Sequence, residues 1–177
     1  KFARDMFLLT NKPVLYVCNV DDASAVSGNK YTEQVRKAAE AEGAGMMIVS
    51  ARTESEIAEL DTAEERKEFL EEMGLEESGA DRLIRAAYNL LDLQTYFTAG
   101  ADECRAWTFV RGTKAPKAAG IIHTDFEKGF IRAEIVPFDT LVELGSMAAC
   151  KEKGLVRSEG KDYVMKDGDI VLFRFNV

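Results

Sequence analysis

The fold of the first half of the chain is decided by one stretch, Val14-Leu-Tyr-Val-Cys-Asn-Val-Asp-Asp22. It begins with apolar, β-branched and aromatic side chains and stops abruptly at Asn19 and Asp22. A short continuous apolar run of this kind is typical of a strand buried in a parallel sheet. Because ligands bind at the carboxyl ends of such strands, Asn19, Asp21 and Asp22 stand where a ligand would be recognised.

A second apolar run repeats this arrangement, Met46-Met-Ile-Val-Ser-Ala-Arg52, and it breaks at Ser50 and Ala51. The spacing of apolar residues between the two runs predicts a helix over residues 31–42. Strand, helix and strand over about 40 residues make one βαβ unit with a right-handed crossover. We therefore expect the loops that follow the two strands to lie side by side at one edge of the sheet.

The side chains of these two loops suit the recognition of a nucleotide base. A carboxylate such as Asp22 can accept hydrogen bonds from N1–H and the amino group of guanine, whereas the Asn19 amide can pair with N6 and N7 of adenine. Backbone N–H groups at Ser50 and Ala51 can hold a base acceptor. This order of motifs predicts the base-reading end of a GTPase-like site; the alternative is that Asn and Asp only turn the chain after a strand.

The composition excludes several classes of protein. Of 177 residues, 46% are hydrophobic and 31% are charged, as is ordinary for a globular protein. No apolar run approaches the ~18 residues that a membrane span needs. The three cysteines, Cys18, Cys104 and Cys150, are scattered and match no metal-site spacing. We therefore expect a reduced, cytoplasmic protein with no membrane contact and no metal ligands of its own.

The second half of the chain has a different pattern from the first. Helical spacing predicts the tail of a helix over 1–10 and three helices over 54–60, 63–73 and 79–91, with capping boxes at Thr53–Glu56 and Thr62–Glu65 and a cap at Ser78. From Gln94 onward the order becomes strand, strand, helix, strand, helix, strand, strand. A hairpin of 163–165 and 170–175 is expected to close the chain. Such an order predicts a small α+β domain with a mixed sheet curled over a helix, as in the ubiquitin-like β-grasp.

Several familiar catalytic motifs are missing from the sequence. It contains no Gly-x-x-x-x-Gly-Lys-[Ser/Thr] phosphate loop, no Gly-x-Gly-x-x-Gly and no Gly-x-Ser-x-Gly. His123, the only histidine, stands near Asp125, and this pair could be catalytic. A lone histidine beside a short helix is more often a structural hydrogen-bonding residue, so we assign no catalytic residue to this chain.

The chain as a whole resembles the Obg-like ATPases of the YchF family. Their base-recognition segment is similar to Lys12-Pro-Val-Leu-Tyr-Val-Cys-Asn-Val-Asp-Asp22, and their second base-contacting motif to Val49-Ser-Ala-Arg52. Their closing TGS domain is similar to residues 93–177, including Leu93-Gln-Thr-Tyr-Phe-Thr-Ala-Gly100 and Asp125-Phe-Glu-Lys-Gly-Phe-Ile-Arg-Ala-Glu134. The resemblance implies that residues 1–92 are the end of a helical arm and the C-terminal third of a P-loop NTPase domain, and that 93–177 are a β-grasp TGS domain.

This resemblance implies a longer protein that hydrolyses ATP with Mg²⁺. The phosphate loop, the Mg²⁺-binding residues and the catalytic residue would precede Lys1, and the chain would end at the natural C-terminus. Within the chain, Asn19, Val20 and Asp22 would read the base with the help of Ser50 and Ala51. The family motif is Asn-x-x-Glu, whereas this chain has Asn-Val-Asp-Asp, with the shorter carboxylate of ordinary GTPases. GTP therefore stays open as the alternative to ATP.

The net charge of −8 is carried by the first half of the chain, and the second half is neutral. Residues 1–92 carry 11 Lys and Arg against 19 Asp and Glu, whereas residues 93–177 carry 12 of each. The acidic half is poorly suited to nucleic acid, but the neutral half can present a basic patch. The resemblance implies that TGS domains contact RNA or the ribosome, and the candidate residues are Arg105, Arg111, Lys114, Lys117, Lys128 and Arg132. As it stands, the chain would be a non-catalytic binding module for RNA or protein, and its oligomeric state stays open.

Overall fold

The computed structural model describes residues 6–100 and 103–176 and divides the chain into two compact units, Lys1–Leu91 and Asp92–Val177. A two-stranded parallel sheet belongs to the first unit, and a five-stranded mixed sheet belongs to the second. The predicted combination of α/β and α+β structure is confirmed at this level. No helix among the described residues is long and apolar enough to cross a membrane.

The first unit is built on one βαβ arrangement. Strand β1 (Leu15–Asn19) pairs in parallel with β2 (Gly45–Val49), and helix α1 (Lys30–Glu42) connects them. The side chain of Asn29 accepts hydrogen bonds from the first turn of α1, and Gly43, with φ of 67°, ends the helix in a left-handed conformation. The βαβ unit predicted from the sequence is thus confirmed.

Three further helices follow β2, namely α2 (Ala51–Ala58), α3 (Ala63–Glu72) and α4 (Gly79–Leu90). Thr62 and Glu65 form the predicted capping box, and Ser78 caps α4 as predicted. The capping box predicted at Thr53–Glu56 is wrong, because Ser50 is the N-cap and its side chain accepts from the Thr53 backbone N–H. Helix α2 therefore starts directly after β2.

The helix predicted over residues 1–10 is wrong for the part of it that the structure describes. Residues 1–5 lie outside the described residues. Met6 and Phe7 form a turn, and Phe7 has φ of 51°, which an aromatic residue within a right-handed helix does not adopt. A single 3₁₀ turn, Leu9–Asn11, leads to β1.

The second unit is a mixed sheet with strand order β4-β3-β7-β5-β6. Strands β3 and β7 are parallel, and all other neighbours are antiparallel. The strands are β3 (Leu93–Ala99), β4 (Cys104–Val110), β5 (Phe130–Pro137), β6 (Arg157–Glu159) and β7 (Asp169–Phe175). The helices are α5 (Ala115–Ile122), α6 (Thr124–Lys128), α7 (Phe138–Leu144) and α8 (Met147–Glu152).

One closed apolar core holds this second unit together. The sheet contributes large buried side chains, and α5 contributes alanines whose small size lets the helix lie close to the strands. Fully buried Tyr96 packs edge-on against Phe173 with ring centroids 5.8 Å apart, and its hydroxyl donates to the Ala118 carbonyl at 2.9 Å. Burial raises the pKa of Tyr96, so the phenol stays neutral.

The C-terminal hairpin does not form as predicted. Residues 170–175 lie in a strand, whereas 163–165 form a loop in which Val164 makes an isolated antiparallel bridge with Lys114, the residue that precedes α5. The Tyr163 hydroxyl donates to the Asp169 carboxylate at 2.8 Å, and the Met165 N–H donates to the Thr113 carbonyl at 3.0 Å. These bonds fold the loop onto the start of α5. The edge strand next to β5 is instead β6, which the sequence did not predict.

Candidate functional site

Two loops at the carboxyl ends of β1 and β2 meet at one edge of the first unit. The Val20 N–H donates to the Val49 carbonyl at 2.9 Å, and the Asn19 Oδ1 accepts from the Ala51 N–H at 2.9 Å. The Asp22 carboxylate accepts from the Ser50 hydroxyl at 2.6 Å. The structure therefore brings together all five residues of the predicted base site, whose role stays a prediction.

The contact to Ala51 fixes the orientation of the Asn19 amide. A backbone N–H can only donate, so the atom that faces Ala51 must be the amide oxygen. The amino group of Asn19 is left as a donor for a ligand, since it has no hydrogen-bond partner in the described part of the chain. This side chain lies on an exposed surface, where a ligand can reach it.

The Asp22 carboxylate is hydrogen-bonded to two residues at the start of α2. Its Oδ1 atom accepts from the hydroxyls of Ser50 and Thr53 at 2.6 and 2.8 Å, and its Oδ2 atom lies 3.6 Å from the Arg52 Nε. The two hydroxyls, and to a smaller extent the Arg52 guanidinium, hold the pKa of the Asp22 carboxyl below its ordinary value. Both hydroxyl residues are buried, with 3% of Ser50 and 1% of Thr53 exposed.

Sequence reasoning missed the role of Thr53 because it assigned this residue to a capping box. The signal that could have revealed it is the spacing Ser50-x-x-Thr53 directly after a strand. When Ser50 is the N-cap, Thr53 falls three residues into the helix, on the same side as the cap. Two hydroxyls then face the residue that follows the neighbouring strand.

A groove of about 380 Å³ lies beside this site between β1 and α1. Asn19 and Val20 line it, whereas Asp22, Ser50 and Ala51 do not. Its other lining residues are mainly apolar or aromatic and include Tyr16, Val17, Cys18, Tyr31 and Val35. The apolar lining next to the free amino group of Asn19 is suited to a flat ring with polar edges.

The six basic residues predicted to contact RNA or the ribosome all lie on the second unit, and each has an acidic neighbour. The N···O distances range from 2.6 to 4.0 Å, and the pairs are Arg105–Glu103, Arg111–Asp92, Lys114–Asp162, Lys117–Glu127, Lys128–Asp125 and Arg132–Glu134. Arg105 also stacks on Trp107 at 4.3 Å. The positive charge of this set is therefore locally compensated.

His123 has a structural role at the start of α6. Its Nδ1 accepts from the Asp125 N–H at 3.2 Å and caps the helix, and the Asp125 carboxylate lies 3.5 Å away. This contact favours the hydrogen-bonding interpretation over the catalytic one. Over residues 6–100 and 103–176, no group of three or more His, Cys, Asp or Glu side chains could hold a metal ion.

Comparisons with known proteins agree on one family. The family model YchF-GTPase_C, described as a protein of unknown function, matches residues 93–176. The Ribosome-binding ATPase YchF of Bacillus subtilis (strain 168) is 55% identical over 179 residues, which cover 100% of this chain and 49% of that protein. The Obg-like ATPase 1 of Caenorhabditis elegans is 41% identical and is matched by 95% of this chain over 43% of its own length.

Solved structures show the same similarity. The Schizosaccharomyces pombe YchF GTPase is 36% identical, with a TM-score of 0.83 over 97% of this chain and 46% of that chain. A GTP binding protein from Pyrococcus horikoshii OT3 is 20% identical with a TM-score of 0.63, a likeness in fold alone. The chain spans about half the length of the curated relatives it matches.

Proposed function

The chain belongs to the YchF family of Obg-like ATPases, whose C-terminal half it matches, and we propose that it carries the base-reading end of a nucleotide site. One observation carries this proposal. The Asn19 side chain joins the backbone of Ala51 across two parallel strands, at the carboxyl ends where such sheets bind ligands. In this proposal the base is contacted by the amino group of Asn19 and by those backbone atoms of Val20, Ser50 and Ala51 that do not take part in the bonds between the two loops.

The reaction belongs to the full-length protein in this proposal. That protein would hydrolyse ATP with Mg²⁺, and we assign neither the phosphates nor the metal ion to residues of this chain. Relatives are named both ATPase and GTPase, and Asp22 is the carboxylate that GTPases use, so GTP hydrolysis is the second candidate. The first unit would be the end of the helical arm and the C-terminal third of the NTPase domain.

We assign the second unit to a TGS domain of the β-grasp type. The mixed sheet packed against α5 supports this assignment. Relatives named as ribosome-binding support a ribosomal partner in the cytoplasm, and the six paired basic residues are its candidate contact surface. Exposed ion pairs are weak, so phosphate groups can compete for these side chains.

Calorimetric titration of the full-length protein with ADP and GDP tests the base site. Asn19→Ala should weaken the tighter nucleotide by about tenfold or more, because it removes both the base contact and the bond to Ala51. Asn89→Ala, an exposed asparagine in α4, is the matched control and should leave the Kd unchanged. Equal affinity of the two variants would refute the assignment of Asn19.

The same titration on this chain alone distinguishes the contribution of the base contacts to affinity from that of the phosphate contacts. Charge-assisted hydrogen bonds to phosphate are the strong contacts of a nucleotide site. We expect this chain to bind neither nucleotide with an affinity comparable to that of the full-length protein. A comparable affinity would place the phosphate contacts within residues 1–177 and contradict the proposal.

A further inference from the structure

We propose that Arg132 and Arg174 together bind one phosphodiester group of RNA at the exposed side chains of β5 and β7. The inference rests on the proposed function, because it names the chemical group of the ribosome that the second unit would contact. It adds Arg174, which the sequence did not single out, and it separates Arg132 from the other candidate residues, each of which has an acidic neighbour of its own.

The two arginines lie on one face of neighbouring antiparallel strands. Arg132 in β5 is directly opposite Arg174 in β7, and Glu134 lies two residues further along β5 on the same face. The Arg132 Nη2 and the Arg174 Nε both donate to the Glu134 Oε1 at 3.1 Å, and the Arg174 Nη2 donates to Oε2 at 3.1 Å. One carboxylate therefore holds both guanidinium groups side by side.

This cluster has one more positive charge than it has negative charges. Hydrogen bonds from Arg174, and to a smaller extent from Arg132, hold the pKa of the Glu134 carboxyl below its ordinary value, so this group is ionised at neutral pH. Among residues 6–100 and 103–176, no other carboxylate lies within ion-pair distance of two Lys or Arg side chains. The surplus charge matches the single negative charge of a phosphodiester.

The remaining N–H groups of both arginines are available to a ligand. A guanidinium group has five N–H donors, and the bonds to Glu134 use two of Arg174 and one of Arg132. Over the described residues the other donors have no hydrogen-bond partner. The side chains of Arg132 and Arg174 are 52% and 47% exposed, whereas Glu134 is buried. An approaching anion therefore meets the guanidinium groups and not the carboxylate.

The stability of the sheet does not account for this arrangement. Like charges directly opposite each other in an antiparallel pair are destabilising. Burial of a carboxylate also costs free energy that its ion pairs only roughly recover. Arg174 alone already makes a bidentate contact with Glu134, so the carboxylate does not require a second guanidinium group. An anion that binds both arginines explains why the second one is present.

The neighbours of the cluster favour RNA as the source of the phosphodiester. Glu134 lies between Leu172 of β7 and Ser158 of β6, which are both exposed on the same face of the sheet. An RNA backbone places a ribose with its 2′-OH beside each phosphate. Leu172 can contact the sugar ring, and the Ser158 hydroxyl can form a hydrogen bond to the 2′-OH. Relatives named as ribosome-binding support the same partner.

The first experiment measures binding of the full-length protein to a single-stranded uridine oligonucleotide at several salt concentrations. Arg174→Gln removes the surplus charge, so it should weaken binding by about tenfold and lower the slope of log K against log salt concentration by about 0.7. Arg174→Lys keeps the charge and should retain the slope. Arg36→Gln, at an exposed arginine of α1 that pairs with Glu33 alone, is the matched control and should change neither quantity.

The salt slope distinguishes the loss of a phosphate contact from a loss of structure. Arg132→Gln should lower the slope as much as Arg174→Gln, because both arginines bind the same phosphate. An unchanged slope in either Gln variant would overturn the inference. An equal fall in Arg174→Lys and Arg174→Gln would also overturn it, because the lost property would then not be charge.

The second experiment uses the wild-type protein and does not depend on the folding of a variant. Phenylglyoxal modifies accessible guanidinium groups, and mass spectrometry identifies the modified residues. Bound oligonucleotide should protect Arg132 and Arg174 from modification. Arg85, an exposed arginine of α4 that pairs with Glu77, should react as in the free protein. Equal reactivity of Arg132 and Arg174 with and without oligonucleotide would contradict the proposed contact.

Vesicles of phosphatidylglycerol distinguish RNA from the other common source of phosphodiester groups. The headgroup of this lipid has the same single negative charge. The wild-type protein and Arg174→Gln should sediment with these vesicles to the same extent. Vesicle binding that is lost in Arg174→Gln, with oligonucleotide binding unchanged, would assign the site to a lipid and overturn the assignment to RNA.

The outcomes also distinguish this inference from the proposed function. Ribosome binding by the wild-type full-length protein without binding of the oligonucleotide overturns the inference and leaves the ribosomal partner in place. Failure to bind either ribosomes or the oligonucleotide overturns the proposed partner, and the inference with it. Oligonucleotide binding whose salt slope falls in both Gln variants, but not in Arg174→Lys, supports both.

Discussion

The two units of the chain are held together in different ways. The second unit has a closed core in which Tyr96, Ile135 and neighbouring side chains are completely buried. In the first unit no residue of β1 is fully buried and 43% of Val17 is exposed, while Met47 is the one buried residue of β2. The loops of the base site in the first unit are held in place instead by side chains that form hydrogen bonds to backbone and hydroxyl groups of another element.

This difference separates stability from ligand recognition. Apolar burial is non-directional and stabilises the second unit as a whole. Hydrogen bonds such as Asn19 to Ala51 and Asp22 to Thr53 are directional and fix the position of two loops. We therefore expect the largest losses of stability from changes in the second unit, and changes of specificity from the first.

The largest effect is expected from Phe173→Ala in the core of the second unit. Loss of a buried aromatic side chain typically costs about 3–5 kcal/mol of unfolding free energy. Trp107, the only tryptophan of the chain, packs against this core, so its fluorescence during urea unfolding reports on this unit. Phe138→Ala, at a side chain 48% exposed, is the control and should cost clearly less. Similar losses in the two variants would mean that burial in this core does not govern the stability of the second unit.

A smaller effect is expected from Glu54→Ala in the first unit. The Glu54 carboxylate accepts from the N–H groups of Gly79 at 2.6 Å and Ala80 at 3.0 Å, at the positive end of α4. Its removal should cost about 1–3 kcal/mol, seen as faster amide hydrogen exchange in the first turn of α4. Glu68→Ala on the exposed face of α3 should leave this exchange unchanged. No difference between the two variants would mean that packing alone positions α4.

These contacts also show how far the sequence alone could lead. Apolar runs and their spacing predict β1, α1, β2 and the meeting of their loops, because parallel topology dictates that meeting. The contacts of Glu54 and Thr53 depend on where α2 begins, and the predicted capping box placed this start at Thr53 rather than at Ser50. A shift of three residues changes which side chains face Asp22 and α4, and only the structure resolves it.

In the second unit, periodicity predicts the long strands but not the partner of every segment. The short apolar run Tyr163-Val-Met165 is typical of a strand, yet the Tyr163 hydroxyl is bound to Asp169 and the segment stays a loop. Counts of charged residues likewise cannot show which of these residues form ion pairs with one another. Arg111 and Asp92 are far apart in the chain but only 3.1 Å apart in space.

Low pH should destabilise the first unit by weakening the hydrogen bonds of the Asp22 carboxylate to Ser50 and Thr53. Its carboxyl has a folded-state pKa below the ordinary value of 3.8, so its bonds to Ser50 and Thr53 stabilise the folded state above that pH. This contribution is lost as the pH falls below 3.8 through the folded-state pKa. The difference in thermal midpoint between wild type and Asp22→Asn should therefore narrow as the pH falls from 6 toward 3. A difference that stays constant with pH would contradict the bonding of Asp22 as a carboxylate.

The smallest effects on stability are expected at the paired basic residues of the second unit. Lys114→Ala removes an exposed ion pair with Asp162 and should change the unfolding free energy by less than about 1 kcal/mol. Its informative measurement is the salt dependence of binding to ribosomes or RNA, where loss of one phosphate contact lowers the slope by about one. Before it can contact phosphate, Lys114 must leave Asp162, whereas Lys161 has no ion pair in the described part of the chain.

Comparison of Lys114→Ala with Lys161→Ala therefore shows whether the ion pair with Asp162 keeps Lys114 from contacting phosphate. Equal changes of slope would mean that phosphate displaces Asp162 without difficulty, so the six paired residues remain a contact surface. A change confined to Lys161→Ala would mean that the ion pairs withhold those residues from phosphate. In that case the second unit would contact its partner through lysines without an acidic neighbour, such as Lys161.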